Sequence, residues 1–292
     1  MQPRRLSSAV HLHHETTIDR RTFLAATVSA AVFRDLSTSR RAQTLRVGLL
    51  TTGADARARR EGALLGVEEA IHAAELFGGS AQLVPLDSVR GVSPSLAAVI
   101  GNESADTTRA LATRAAAGGF LVMNVACPTD SLRGAQCSPF MFHIAPSDAM
   151  LRDARVQAPG ATDVITWDGS LVRFGADTLN DRFRKRFGHS MNSAAWGAWF
   201  AVKALWESSL RMKSADPPQL AEYLRRETTQ FDGHKGRPLS FRAWDHQLRQ
   251  FLYARVGGKL VDVPQSATPE TTSREFLDKL GVSRANSSCR FP

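Results

Sequence analysis

Two short stretches concentrate the side chains best suited to gripping a small molecule. Asn102-Glu103-Ser104-Ala105-Asp106-Thr107-Thr108 places hydroxyls, carboxylates and consecutive backbone N–H groups just ahead of a helical pattern. That combination suits a small carboxylate or another anion. Ser104 and Asp106 serve equally well as plain helix N-caps, and their types leave both roles open. Asn124-Val125-Ala126-Cys127-Pro128-Thr129-Asp130 follows a strand-like run and adds an amide, a thiol and a hydroxyl. Against these, the motifs of catalysis are missing. The sequence has no Gly-x-Ser-x-Gly elbow, Walker loop, Gly-x-Gly-x-x-Gly turn or His-Glu-x-x-His pair. Single carboxylates such as Asp168 and Asp245 read as surface or capping groups, so no enzyme is expected, and no cofactor or metal.

The three cysteines, Cys127, Cys137 and Cys289, form no C-x-x-C pair, which argues against zinc and thioredoxin-type chemistry. In an exported chain Cys127 and Cys137 either pair across a short loop or serve as small buried apolar residues. Cys289 sits in a polar tail and reads as incidental. His11, His13 and His14 lack a second histidine at helical spacing after Glu15 and belong to a leader.

That leader is the most distinctive local signal. Arg20-Arg21-Thr22-Phe23-Leu24 opens an uncharged run through Phe33, too short to span a bilayer, which requires about 20 apolar residues. It suits a signal-peptide core, and the paired arginines match a twin-arginine export signal over residues 1–42. The predicted destination is the periplasm. The formal charge of +9 invites a nucleic-acid reading, yet residues 1–42 carry +4 of it. The remaining basic residues are interleaved with acids, as in Asp181-Arg182-Phe183-Arg184, the pattern of a solvated helix face. No nucleic-acid partner is expected.

Behind the leader the hydrophobic periods alternate between strand and helix. Leu45–Leu50 reads as a strand, Gly62–Leu76 as a helix stopped by Gly78-Gly79, Ala81–Leu86 and Leu96–Ile100 as strands. A helix around Asp106–Ala117 and a strand Phe120–Val125 follow. Further on come helices around Gly175–Arg186, Ser193–Met212 and Gln219–Glu227, then strands at Pro238–Ala243, Leu248–Val256 and Leu260–Val263. Trp196, Trp199, Phe200 and Trp206 recur at core spacing on one helix, although a ligand box would use the same residues. The alternation predicts an α/β fold, a parallel sheet covered on both faces, with ligands meeting the carboxyl ends of its strands.

The order of elements, with Leu45–Leu50, Val99-Ile100-Gly101 and the loop through Thr108, Asn124 through Leu132, Ser193–Leu210 and Phe231–Gly236 leading to Phe241, resembles the type I periplasmic binding proteins of the leucine/isoleucine/valine-binding family. Asp130-Ser131-Leu132-Arg133-Gly134 with Cys137, and Phe241 through Gln250, look like a subgroup found beside PQQ-dependent alcohol oxidation systems. The resemblance implies a Rossmann-like lobe that binds a small polar solute, amino-acid-like or a small organic acid, and docks as a monomer on an ABC permease in the inner membrane. The alternative is a non-catalytic accessory or sensor protein of a PQQ-dependent system, with weak or no ligand binding. The ligand contacts it implies are Ser104, Ala105, Asp106, Thr107, Asn124, Cys127 and Thr129. The chain departs from the family after Met150–Ala154, where it passes directly to Asp163–Trp167, and the stretch from Asp87 to Ala98 is short for the helix expected there. The implied organisation is a first lobe in two parts, residues 43–154 and 171–240, a remnant of the second lobe at 155–170, closing strands at 241–265 and a tail at 266–292.

Overall fold

A computed structural model describes residues 44–101, 104–265 and 274–291. The expected export signal, the three leader histidines, and Asn102 and Glu103 of the first loop lie outside the described residues.

β1 (Thr44–Leu50) feeds the 22-residue helix α1 (Ala56–Phe77), which ends at Gly78 in a positive-φ conformation. The chain continues through β2 (Ser80–Leu86), β3 (Ala98–Ile100), α2 (Ala105–Gly118), β4 (Leu121–Asn124) and β5 (Met141–His143). These five strands pair in parallel in the order β2-β1-β3-β4-β5. Side-chain alternation on β1 separates two cores: Leu45, Val47 and Leu49 enter one, Leu50 the other. Between β2 and β3 the regular structure is a single 3-10 turn, Val89–Gly91, in keeping with the shortness of that stretch.

α3 (Asp148–Gln157), β6 (Asp163–Ile165), α4 (Ala176–Phe187), α5 (Ser193–Met212) and α6 (Pro217–Arg225) come next. α1 lies along α5 on one face of the sheet, and α2 covers the other. The α1–α5 contact depends on glycine. A Cβ on Gly62 would stand 1.9 Å from the Ala195 carbonyl oxygen, and one on Gly66 would stand 2.9 Å from Val202 Cβ. The aromatic residues of α5 are core: Trp196, Trp199 and Phe200 are buried, and Trp196 stacks between Trp167 and Phe200 at 5.9 and 5.3 Å. Large rings packed against a sheet bury more apolar area than any aliphatic residue.

The remaining strands are β7 (Phe231–Asp232), β8 (Pro238–Phe241), β9 (Leu248–Arg249), β10 (Leu252–Val256) and β11 (Lys259–Val263), and α7 (Arg274–Leu277) opens the tail. The single strand expected over Leu248–Val256 is two. β9 pairs with β8, while β10 pairs with β11 and β6 in a separate antiparallel sheet. The break falls at Gln250 and Phe251, whose polar groups are engaged elsewhere. Gln250 Nε2 donates to the Ile144 carbonyl, and Lys235 Nζ donates to Gln250 Oε1 and the Phe251 carbonyl, both at 2.8 Å. Residues 155–170, read as a second-lobe remnant, form the end of α3, the short β6 and the passage to α4. With β10 and β11 they enclose a small core of Met150, Ala154, Val164, Leu252 and Val263.

The tail is not incidental. Leu280 is fully buried in that small core, the Gly281 N–H donates to Asp153 Oδ2 at 2.7 Å, and Phe291 stacks on His246 at 4.2 Å. Cys289 forms a disulfide with Cys137, 152 residues away. This corrects two sequence expectations at once: Cys137 does not pair with Cys127, and Cys289 has a partner. Cys127 is a free thiol buried beneath α2 with Leu111 and Ala115, in the role of a small hydrophobe.

Candidate functional site

The carboxyl edge of the parallel sheet carries both loops singled out by their residues. β3 and β4 are paired neighbours, and the Gly101 N–H donates to the Met123 carbonyl at 3.1 Å, so the two loops leave the sheet side by side. On the first, Ser104 caps α2, its Oγ accepting from the Thr107 N–H at 3.3 Å. Ser104 and Asp106 are exposed and Ala105 and Thr107 half-buried. Asp106 pairs with Arg109 one turn on, at 2.7 Å. The capping reading and exposure to a ligand are thus compatible for these residues.

The second loop is held mainly by its own polar groups. Asn124 is fully buried. Its Oδ1 accepts from the N–H groups of Cys127 and Ala126, its Nδ2 donates to the Cys127 carbonyl at 2.8 Å, and His143 Nδ1 lies 2.9 Å from the same nitrogen. Nothing in that side chain is left to offer a solute. Cys127 Sγ points at Thr129 Oγ1 (3.5 Å) from within the core. Of the expected contacts on this loop, Thr129 alone is part-exposed; Asn124 and Cys127 shape the loop.

Arg133, 6% exposed, ties the loop to the rest of the edge. Its Nε donates to Gln247 Oε1 at 2.6 Å, Nη1 to the carbonyls of Cys127 and Thr129, and Nη2 to the Ala145 carbonyl at 2.7 Å. Gln247 Nε2 donates in turn to the carbonyls of His143 and Ala145. One guanidinium therefore satisfies carbonyls of the loops that follow β4 and β5, which water would otherwise have to reach. Burial pulls the Arg133 guanidinium down to about 10, and burial together with the Arg133 charge holds His143 well below the usual imidazole range.

Beside this network lies a cavity of about 280 Å³. Its walls come from four places: the loop after β4 (Asp130, Ser131, Arg133, Gly134 and Ala135), Ser147 ahead of α3, the β8–β9 turn (Arg242, Asp245, Gln247), and the disulfide-held tail (Val282, Asn286, Ser288). None of the seven expected ligand contacts lines it. Asp245, read from sequence as a surface or capping group, does cap, its Oδ1 accepting from the Gln247 N–H at 3.0 Å, but it is 3% exposed. Burial raises its pKa against the pull of Arg242 and that N–H. Asp130 goes the other way: burial would raise it, but the Ala149 N–H and Arg152 outweigh that and lower it. Asp168 behaves as expected, capping Ser170 and pairing with Arg255 at 2.6 Å. Sequence reasoning missed Arg133, Arg242 and Gln247 as site-builders. Both segments stood out for their family likeness, but Arg133 and Gln247 are 114 residues apart, and no local spacing brings them together.

Neither a family model nor a curated protein matches the sequence. Solved structures do match in fold. A periplasmic binding protein from Burkholderia mallei superposes with a TM-score of 0.67 at 11% identity, covering 85% of this chain and 98% of that one. An ABC-type branched-chain amino acid transporter protein from Rhodopseudomonas palustris gives 0.65 at 13%, covering 77% and 96%. The branched-chain amino acid transporter substrate binding protein LivJ from Streptococcus pneumoniae, in complex with isoleucine, gives 0.62 at 15%, covering 76% and 100%. The chain has the α/β fold of the type I periplasmic binding proteins, built here on one five-stranded parallel sheet.

Proposed function

We propose that this chain is the substrate-binding component of an ABC-type uptake system, exported to the periplasm by its twin-arginine-type signal, and that it is not an enzyme. The observation that carries the reading is the adjacency of the β3 and β4 tips, which sets Ser104, Asp106 and Thr107 next to the loop of Thr129 at the edge where parallel α/β sheets meet ligands. The solute is small and polar, amino-acid-like or a small organic acid. Its head group is held by the α2 N-terminus and the Thr107 and Thr129 hydroxyls, and the chain works as a monomer with an inner-membrane permease.

Thermal melting against a panel of amino acids and small organic acids tests this, since a saturating ligand of the native state must raise the midpoint by mass action. Thr107→Ala and Thr129→Ala should each weaken that stabilisation at least ten-fold in ligand concentration while leaving the unliganded midpoint nearly unchanged. A panel that moves nothing, or variants that respond like the parent, would remove the assignment. Fractionation of cells expressing the full chain tests the export.

A second reading is favoured by one observation: Asn124 and Cys127 are committed to the loop, and the described residues contain one parallel sheet rather than two facing ones. Under it, the second lobe is incomplete and the chain is a non-catalytic accessory protein of a PQQ-dependent alcohol oxidation system. Failure of every panel compound together with co-purification of a periplasmic dehydrogenase would favour it.

A further inference from the structure

We infer that Cys137 is the sulfur through which this chain exchanges disulfides with an outside thiol–disulfide couple. The Cys137–Cys289 bond closes there on the already folded protein, with Cys289 as the resolving thiol. Three observations carry this, and none involves the proposed solute site.

The first is unequal access to the three sulfurs. Cys289 is 4% exposed, with its N–H donating to Ser287 Oγ at 3.2 Å. Cys127 is fully buried with Leu111 and Ala115. Cys137 alone is part-exposed, on a turn beside the exposed Ala135 and Gln136, its N–H donating to the Gly134 carbonyl at 3.0 Å. Thiol–disulfide exchange requires one sulfur to touch another, so access decides which cysteine meets an outside reagent.

The second is separation along the chain. The two bonded cysteines lie 152 residues apart, and the ends of an unfolded loop of that length meet rarely. Contacts other than the bond bring them together. Leu280 is buried in the small core, the Gly281 N–H donates to Asp153, Asp278 reaches Arg242 and Arg249, and Phe291 stacks on His246. Packing therefore delivers Cys289 to Cys137, and the bond is made afterwards.

The third is the electron balance. Closing the bond takes two electrons and two protons from the thiol pair. The chain has three cysteines, one bonded pair and one thiol, so it holds no second disulfide to accept those electrons. The acceptor is a disulfide of another molecule. The Cys137 thiolate attacks one of its sulfurs and expels the other as a thiolate. Cys289, its proton lost to water, then attacks Cys137 Sγ and expels the second. In reverse, an outside thiolate attacks Cys137 Sγ and Cys289 leaves. One reachable sulfur and one shielded beside it suit this two-step route.

The test begins with the full chain reduced by dithiothreitol, freed of it and treated under native conditions with glutathione disulfide. Adducts are mapped by mass spectrometry after acid quenching. The parent should pass through a single adduct on Cys137 and then close the bridge, releasing glutathione. Cys289→Ser should halt with glutathione on Cys137. Cys137→Ser should be modified at Cys289 roughly ten-fold or more slowly, and the two rates should converge in concentrated urea, where the shielding is lost. Oxidised protein disulfide isomerase in place of glutathione disulfide tells a protein couple from a small-molecule one by which closes the bridge faster. The inference is overturned if the first adduct forms on Cys289 or Cys127, if the two variants react equally fast under native conditions, or if the parent closes its bridge no faster folded than in urea.

Discussion

Breaking the Cys137–Cys289 bond is the most informative perturbation of this fold. The bridge closes a loop spanning 152 residues of sequence, more than half of the described chain. In the chain-entropy account, a loop of that length removes about 5 kcal/mol of freedom from the unfolded state, although measured effects typically fall near 2–4 kcal/mol. The native state gives little of this back on reduction, because the tail keeps its other anchors: Leu280 in the small core, the Gly281–Asp153 hydrogen bond and the Phe291–His246 stack. For a chain of this size, 2–4 kcal/mol is roughly a 5–15 °C fall in midpoint. The assay is urea unfolding of the parent, oxidised and in dithiothreitol, beside Cys137→Ser/Cys289→Ser, with alkylation to follow the thiols. In the oxidised native protein Cys127 should resist alkylation, being fully buried, and reduction should make two further thiols available. A reduced protein as stable as the oxidised one, or alkylation showing Cys127 in the bridge, would refute the reasoning.

Four further outcomes follow from particular contacts. Gly62→Ala should destabilise by about 1–3 kcal/mol or more, read as a lower urea midpoint, because its Cβ must push α1 away from the Ala195 carbonyl. Arg133→Met should cost several kcal/mol, since Gln247 and three carbonyls lose their donor together and each buried acceptor left unsatisfied costs about 1–3 kcal/mol. Ser104→Ala should cost about 1 kcal/mol through the lost cap of α2, so it is a poorer probe of ligand binding than Thr107→Ala. His246, packed between Phe142 and Phe291, has its pKa lowered to about 4, first by burial. A base lowered in the folded state contributes fully above the unfolded value near 6.5 and loses that contribution as pH falls toward 4, here roughly 3 kcal/mol in total. His143 acts in the same direction, while Asp245, raised by burial, recovers part of the loss as it protonates. Unfolding at a series of pH values should show the decline between pH 6.5 and 4 flattened in His246→Asn, which keeps the left-handed backbone accessible.

The parallel sheet was legible because its signals are local. Leu45, Val47 and Leu49 announce a half-turned strand, Gly78 and Gly119 stop the helices, and the α5 aromatics fall at core spacing. The short strand β5 escaped notice because Met141-Phe142-His143 is too brief to show a period, and its pairing with β4 is a long-range fact. The break between β9 and β10 was hidden for a different reason: its cause is the pull of Lys235 and Ile144 on Gln250 and Phe251 from distant parts of the chain. The candidate loops were found by residue type, but type alone did not tell which side chains remain available. Asn124 looked like a ligand contact and is wholly occupied; Arg242 drew no notice as a site residue and is a buried hub bonded to Asp278 and the Leu280 carbonyl and paired with Asp245.

The tail resolves a problem that any single parallel-sheet lobe faces at its carboxyl edge. Strand ends present carbonyl groups that must be bonded, and a bare edge would leave them to water or to another chain. Here Arg133 and Gln247 take the carbonyls of Cys127, Thr129, His143 and Ala145, but that solution buries a cation whose hydrogen-bond partners are all neutral. Such an arrangement persists only if water is kept from competing for those bonds and the cluster's charge is balanced nearby. The tail supplies both: Phe291 seals His246, and Asp278 reaches Arg242 and Arg249 from just after α7. Removing residues 274–292 should therefore do more than shorten the protein. It should expose Arg242 and Arg249 and take away the carboxylate they share, Asp278, and so lower stability well beyond the loss of the disulfide alone, a difference measurable by comparing the truncated chain with Cys137→Ser/Cys289→Ser in urea. Equal midpoints for the two would mean that the buried cations never depended on the tail.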